Sequence, residues 1–212
     1  MTRFLTSIVM LAAAAVAHAQ TQPMAGVEYK VISPAQPAVG PKVEVVEFFN
    51  YACPHCYDFE PLLKSWIARK PGDVEFRYVP AVFNDRMIPL AKLYYTLEEL
   101  QLRAKLHDKV YEAIHDKGLR LDDPAILFKW IADHGVEAKK FQSVYESFSV
   151  ANQVQRAAQL TRSLKVPGTP YLVVNGKYLT GPSMVVGADG NVDTRRFVAV
   201  LNQLIDKERR KS

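Results

Sequence analysis

The sequence predicts an α/β fold in which a strand-built core is split by an all-helical block. Three observations point to it. The run Val43-Glu44-Val45-Val46-Glu47-Phe48-Phe49 is β-branched and aromatic, as in the middle of a sheet, and it passes into a helical pattern within a few residues. Between residues 90 and 164 the apolar positions keep a helical period. After Pro170 strand-like runs return on both sides of Asn175-Gly176, a strong short-range hairpin signal.

In chain order the first element is an export signal. Arg3 supplies a positive start, residues 4–16 form an apolar stretch too short to span a bilayer comfortably, and Ala17-His18-Ala19 reads as a cleavage site. Removing residues 1–19 leaves 193 of 212 residues and lowers the formal charge from +5 to +4. That length suits one domain, or one with a large insertion. Lysine and arginine are interspersed with acids, so the mild positive charge does not argue for nucleic acid. The basic tail from Lys207 to Lys211 reads as a solvated helix end. Residues 20–42, rich in Pro, Gln, Gly and Ala, read as a lead-in with at most a short strand at 27–32.

After the strand at 43–49, Cys56, Phe59, Leu63, Trp66 and Ile67 share one helix face, and Lys70-Pro71-Gly72 ends that helix. Pro61 inside it is expected to produce a kink. Residues 74–79 read as a second strand stopped by Pro80. Leu90, Leu93, Tyr94, Leu97 and Leu100 make the first stripe of the helical block, and Leu106, Val110, Tyr111 and Ile114 the second. Asp123-Pro124 opens a third helix as cap and first residue, with Gly135 at its end. Phe141, Val144, Tyr145 and Phe148 mark a fourth, and residues 150–164 a fifth. The closing hairpin leads through a loop to an amphipathic helix capped by Asp193 or Thr194, with Phe197, Val200, Leu201, Leu204 and Ile205 inward.

The chemistry lies in Cys53-Pro54-His55-Cys56, which holds the chain's two cysteines. A structural staple is a poor explanation, because closing so short a loop contributes about 2 kcal/mol against roughly 4.7 for a hundred-residue loop. Zinc needs four ligands where the motif offers three, and His107, His115 and His134 are scattered in the helical block. A redox pair has a mechanism: at a helix N-terminus Cys53 faces unpaired N–H groups and the positive dipole end, which favour its thiolate. Pro54 costs little in a first turn. His55 either adds a donor and a charge beside the sulfur or is a solvated histidine without a role.

These segments, with Glu47-Phe48-Phe49, Tyr57-Asp58-Phe59-Glu60 and Gly168-Thr169-Pro170, resemble the DsbA-type periplasmic thiol:disulfide oxidoreductases over essentially the whole mature length. The resemblance implies a thioredoxin-like fold with an inserted all-helical domain. On it, residues 43–83 and 165–212 form the thioredoxin-like domain and 84–164 the helical insertion. Cys53 is then the exposed nucleophile, Cys56 its buried partner, and Thr169-Pro170 the cis-proline site that offers backbone to an extended substrate. Thr169 stands where the family often has valine. Glu47 and Glu60 match acidic positions near the site, and Arg77 stands in place of a lysine, which changes the chemistry because arginine does not give up its proton near pH 7. Glu47 either tunes the cysteine pair or relays protons to Cys56, or it is a silent carboxylate paired with Arg77.

The function expected is donation of the Cys53/Cys56 disulfide to exported, folding polypeptides with free thiols, in the periplasm. A DsbB-like, quinone-linked membrane protein would reoxidise the pair. A monomer is expected, with no cofactor and no metal. A disulfide isomerase or reductase of the same fold, a glutathione-dependent enzyme of similar insertion topology, and a chaperone-like polypeptide-binding module are the alternatives.

Overall fold

The structure, a computed structural model, describes residues 21–36 and 40–210, so the expected signal segment lies outside the described residues. Strands β1 (Lys30–Val31), β2 (Val43–Phe49), β3 (Val74–Pro80), β4 (Tyr171–Val174) and β5 (Tyr178–Thr180) form one sheet in the order β1-β5-β4-β2-β3. Helix α1 (Pro54–Arg69) crosses from β2 to β3, which run parallel in the register Val45↔Phe76 and Glu47↔Tyr78. It continues through Pro61 as one helix.

β2 also pairs with β4, antiparallel, and its buried residues divide by parity. Val45 and Phe49 join the large cluster shared with α1 and the C-terminal helix, whereas Val46 and Phe48 join a second cluster with Val79, Ala157 and Val173. A strand buried on both faces explains its nearly continuous apolar run.

The β4–β5 hairpin turns at Asn175 and Gly176, both at positive φ (51° and 64°), as a type I′ turn requires. A Cβ at Gly176 would lie 2.6 Å from the Gln36 carbonyl oxygen, so the lead-in segment also demands glycine there. That segment does more than lead in. β1 adds an edge strand against β5, Tyr29 is buried, and Glu28 pairs with Arg196 at 2.6 Å on α7 (Thr194–Arg209). Asp193 caps α7 by accepting the Arg196 N–H.

Five helices stand between β3 and β4: α2 (Ile88–Glu99), α3 (Arg103–His115), α4 (Pro124–Asp133), α5 (Ala138–Tyr145) and α6 (Phe148–Ser163). The chain thus has a thioredoxin-like fold with an inserted helical domain. Asp123 caps α4 through the Ala125 and Ile126 N–H groups. Sequence periodicity groups Phe148 with Phe141 and Tyr145, but α5 stops at Tyr145. Ser147 then accepts the Val150 N–H and starts α6, leaving Phe148 80% exposed in its first turn. A local cap outweighs one apolar position in the periodicity. α1 meets α3, and α2 and α6 meet β3, so the helical block rests on the core beside the start of α1. Among the described residues no helix is long and apolar enough to cross a membrane.

Candidate active site

Cys53 sits where β2 gives way to α1. The Asn50 carbonyl accepts the Cys53 N–H at 3.0 Å and the Asn50 side chain accepts the Ala52 N–H at 2.8 Å, which turns the chain sharply. Cys53 is then the N-cap residue in extended conformation, with Pro54 opening the helix, and its carbonyl accepts the N–H groups of Cys56 and Tyr57. The helix periodicity that turns Phe59 and Leu63 inward also buries Cys56 fully, while Cys53 stays half-buried. From the far side of the insertion, the cis Thr169–Pro170 segment places the Thr169 carbonyl 3.4 Å from Cys53 Sγ.

These surroundings separate the two thiols. Hydrogen bonding from the Cys56 thiol lowers Cys53 from an ordinary 9.0 to about 5, against the opposing effect of burial. The Thr169 side chain and the backbone N–H groups of Cys56 and His55 add to the lowering. The Thr169 carbonyl can only accept, so it serves the thiol form, and the threonine hydroxyl serves the thiolate. Cys56 is pushed far up by burial, by its donation to Cys53, and by the negative charges of Glu47 and Cys53. One thiolate therefore stands at neutral pH, on the sulfur that solvent can reach.

Glu47 lies in β2, 1% exposed, and neither of its carboxylate oxygens has a hydrogen-bond partner among the described residues. Burial first, then the charges of Glu60 and Cys53, hold its carboxyl well above the usual range. The alternative pairing of Glu47 with Arg77 is not made. In the parallel register Val46, not Glu47, is opposite Arg77, so the two side chains leave opposite faces of the sheet. Arg77 pairs instead with Glu44 at 2.6 Å.

Glu60 is also buried, and Tyr78 donates to it at 2.9 Å. Facing the same carboxylate oxygen at 3.5 Å is Nε2 of His107, whose Nδ1 shares a 2.7 Å hydrogen bond with the Tyr51 hydroxyl. One turn pair further along α3, His115 Nε2 donates to the Tyr51 carbonyl at 2.8 Å while its ring stacks on Tyr57. α3 therefore grips the segment before Cys53 at two atoms of one residue. Sequence reasoning left both histidines scattered. The spacing of His107, Tyr111 and His115, four residues apart each time, was the available signal, since it aligns them on one helix face.

His55 is exposed, and it is its backbone N–H that favours the Cys53 thiolate. Its ring lines a cavity of about 340 Å³ with Phe59, Leu62, Pro170 and Val192. On the other side of Thr169 a second cavity, about 450 Å³, includes Cys53, Met87, Leu90 and Leu121 in its lining. A half-buried, ionised sulfur between two hollows and beside an open backbone carbonyl can exchange disulfides with an extended chain. Among the described residues no group of three or more histidine, cysteine or acidic side chains could hold a metal ion.

Comparison with known proteins agrees with this geometry. Residues 44–195 match the family model of the DSBA-like thioredoxin domain. The chain is 42% identical over 210 residues to the thiol:disulfide interchange protein DsbA of Bordetella parapertussis, covering 99% of this chain and 97% of that one. It is 38% identical over 186 residues to the protein of the same name from Pseudomonas aeruginosa, covering 87% and 85%. Among solved structures, Pseudomonas aeruginosa DsbA superposes with a TM-score of 0.82 at 36% identity, covering 89% of this chain and 96% of that one. The oxidoreductase DsbA from Xylella fastidiosa gives 0.79 at 32% identity, covering 90% and 100%.

Proposed function

The chain belongs to the DsbA family and is a thiol:disulfide oxidoreductase, and on that premise we propose that it donates its Cys53–Cys56 disulfide to exported, folding polypeptides that carry free thiols. The observation that carries this direction is the divergence of the two thiols. Lowering Cys53 to about 5 favours the reduced pair, and a pair more stable when reduced is an oxidant toward other thiols.

A substrate thiolate attacks Cys53 Sγ. The Cys53–Cys56 bond breaks, a mixed disulfide forms, and the departing Cys56 sulfur takes up one proton, as its raised pKa requires. The substrate's second thiolate then attacks the substrate sulfur of that mixed disulfide. Cys53 leaves as thiolate, and its low pKa makes it a good leaving group. Two electrons have moved from substrate to enzyme.

In this reading the Thr169 backbone pairs with the extended substrate next to Pro170, and His55 and Pro54 shape the entrance to the helix. Glu47 and Glu60 tune the buried side of the pair, an assignment supported by the coupling of Glu47 to Cys56. The thioredoxin-like unit spans 43–83 and 165–212, and the helical unit 84–164. The protein works as a monomer in the periplasm after removal of residues 1–19, and a DsbB-like, quinone-linked membrane protein reoxidises it. Equilibrating the cysteine pair against glutathione tests the direction: a potential well above that of thioredoxin is expected, and one close to it would favour a reductase. If the Cys53→Ser, Cys56→Ser double variant retains full activity on reduced, unfolded proteins, the function is chaperone-like binding instead.

A further inference from the structure

The two cavities that flank Thr169 differ in charge. The larger one, which Cys53 also lines, carries Arg86 and Arg120 on its walls, with Asp122 as its only carboxylate. Arg120 is occupied, because its Nε and Nη2 bind both oxygens of Asp122 at 2.9 and 2.8 Å. Arg86 is not. Its side chain makes no hydrogen bond or ion pair among the described residues, while its backbone N–H is fixed at 3.1 Å to Asn84 in the turn before α2. A free guanidinium thus stands on a fixed backbone in the same hollow as the nucleophilic sulfur, over the apolar floor of Met87 and Leu90. The smaller cavity is walled by Phe59, Leu62, Pro170 and Val192, and its only carboxylate is Asp58. His55 and Asp58 are the titratable groups of its lining, and an apolar side chain is welcome there.

We propose that Arg86 is a specificity-determining residue that pairs with an Asp or Glu beside the reacting cysteine of the substrate. The inference rests on the disulfide-donor reading and adds a substrate class to it. Because Arg86 is exposed, the ion pair acts at a screened rim and biases the rate without gating it.

The test uses dithiol peptides that differ at one position, Glu, Ala or Lys, placed on the N- or the C-terminal side of one cysteine. At one of the two placements the Glu peptide is expected to be oxidised about three- to fivefold faster than the Ala peptide and the Lys peptide slower, with the difference fading by about 0.5 M salt. Arg86→Glu is expected to invert that order and Arg86→Lys to retain it. Equal rates at both placements, or an order that survives Arg86→Glu, would overturn the proposal. The same peptides with serine for cysteine, followed by fluorescence anisotropy, separate the two ideas. Charge-ordered binding without oxidation of the dithiol forms leaves Arg86 its role and removes the oxidase reading, whereas oxidation without charge order does the reverse.

Discussion

Cys53 Sγ and the Thr169 carbonyl oxygen lie 3.4 Å apart across 116 residues of sequence. The contact ties the N-cap of α1 to the chain entering β4, and it makes Thr169 both the neighbour of the sulfur and the backbone offered to a substrate. Its hydroxyl helps hold the thiolate. Thr169→Val removes that donor, and a hydrogen bond to a charged group is worth about 1.5 kcal/mol, so the Cys53 pKa is expected to rise by about one unit. Thiolate absorbance against pH in the reduced variant checks it.

Glu47 makes the fold less stable than it could be. Its folded pKa is raised above an ordinary 4.5, so the stability compatible with it is complete below that value and erodes as pH rises. Glu47→Leu is expected to stabilise the protein at pH 7 by about 1–3 kcal/mol, and the gain should shrink toward pH 4. Urea midpoints across that range are the measurement. A variant less stable than the parent at pH 7 would mean that the carboxyl is satisfied in solution.

The two α3 histidines should differ in cost. His107→Leu leaves the buried Tyr51 hydroxyl without its 2.7 Å partner, for an expected loss of about 2–3 kcal/mol. His115→Leu removes a bond from a partly buried carbonyl and is expected to cost about 1 kcal/mol. Urea denaturation of both variants decides the order, and the reaction rate of Cys53 with a thiol reagent reports whether the loop before it has loosened.

Reduction links stability to pH with a definite sign. Cys53 is depressed in the folded state, so the stability it adds to the reduced protein is complete above the ordinary thiol value of 9.0 and is lost as pH falls through about 5. The oxidised protein has no such ionisation. The difference in urea midpoint between reduced and oxidised forms should therefore shift in favour of the reduced form from pH 5 toward pH 9.

Much of this was legible in the residues because it rests on local physics. The buried strand, the Asp123 cap, the Asn175-Gly176 turn and the inward face of α7 each follow from patterns a few residues long. Cys53 and Cys56 were legible as a pair for the same reason, since one helix start decides which sulfur is exposed. What was not legible depends on register and on distant contacts. Whether Arg77 reaches Glu47 turns on strand parity, and the pairing with Glu44 follows from β2 and β3 meeting Val46 against Arg77. The grip of His107 and His115 on Tyr51 needed the docking of α3, which no local pattern specifies. Phe148 was misplaced because Ser147 could cap a new helix.

Disulfide donation depends on the charge of one sulfur, and titrating the reduced protein by thiolate absorbance measures it. A single ionisation with its midpoint near 5, absent in Cys53→Ser, is the expected result. A midpoint near 9, where an ordinary thiol ionises, would contradict it.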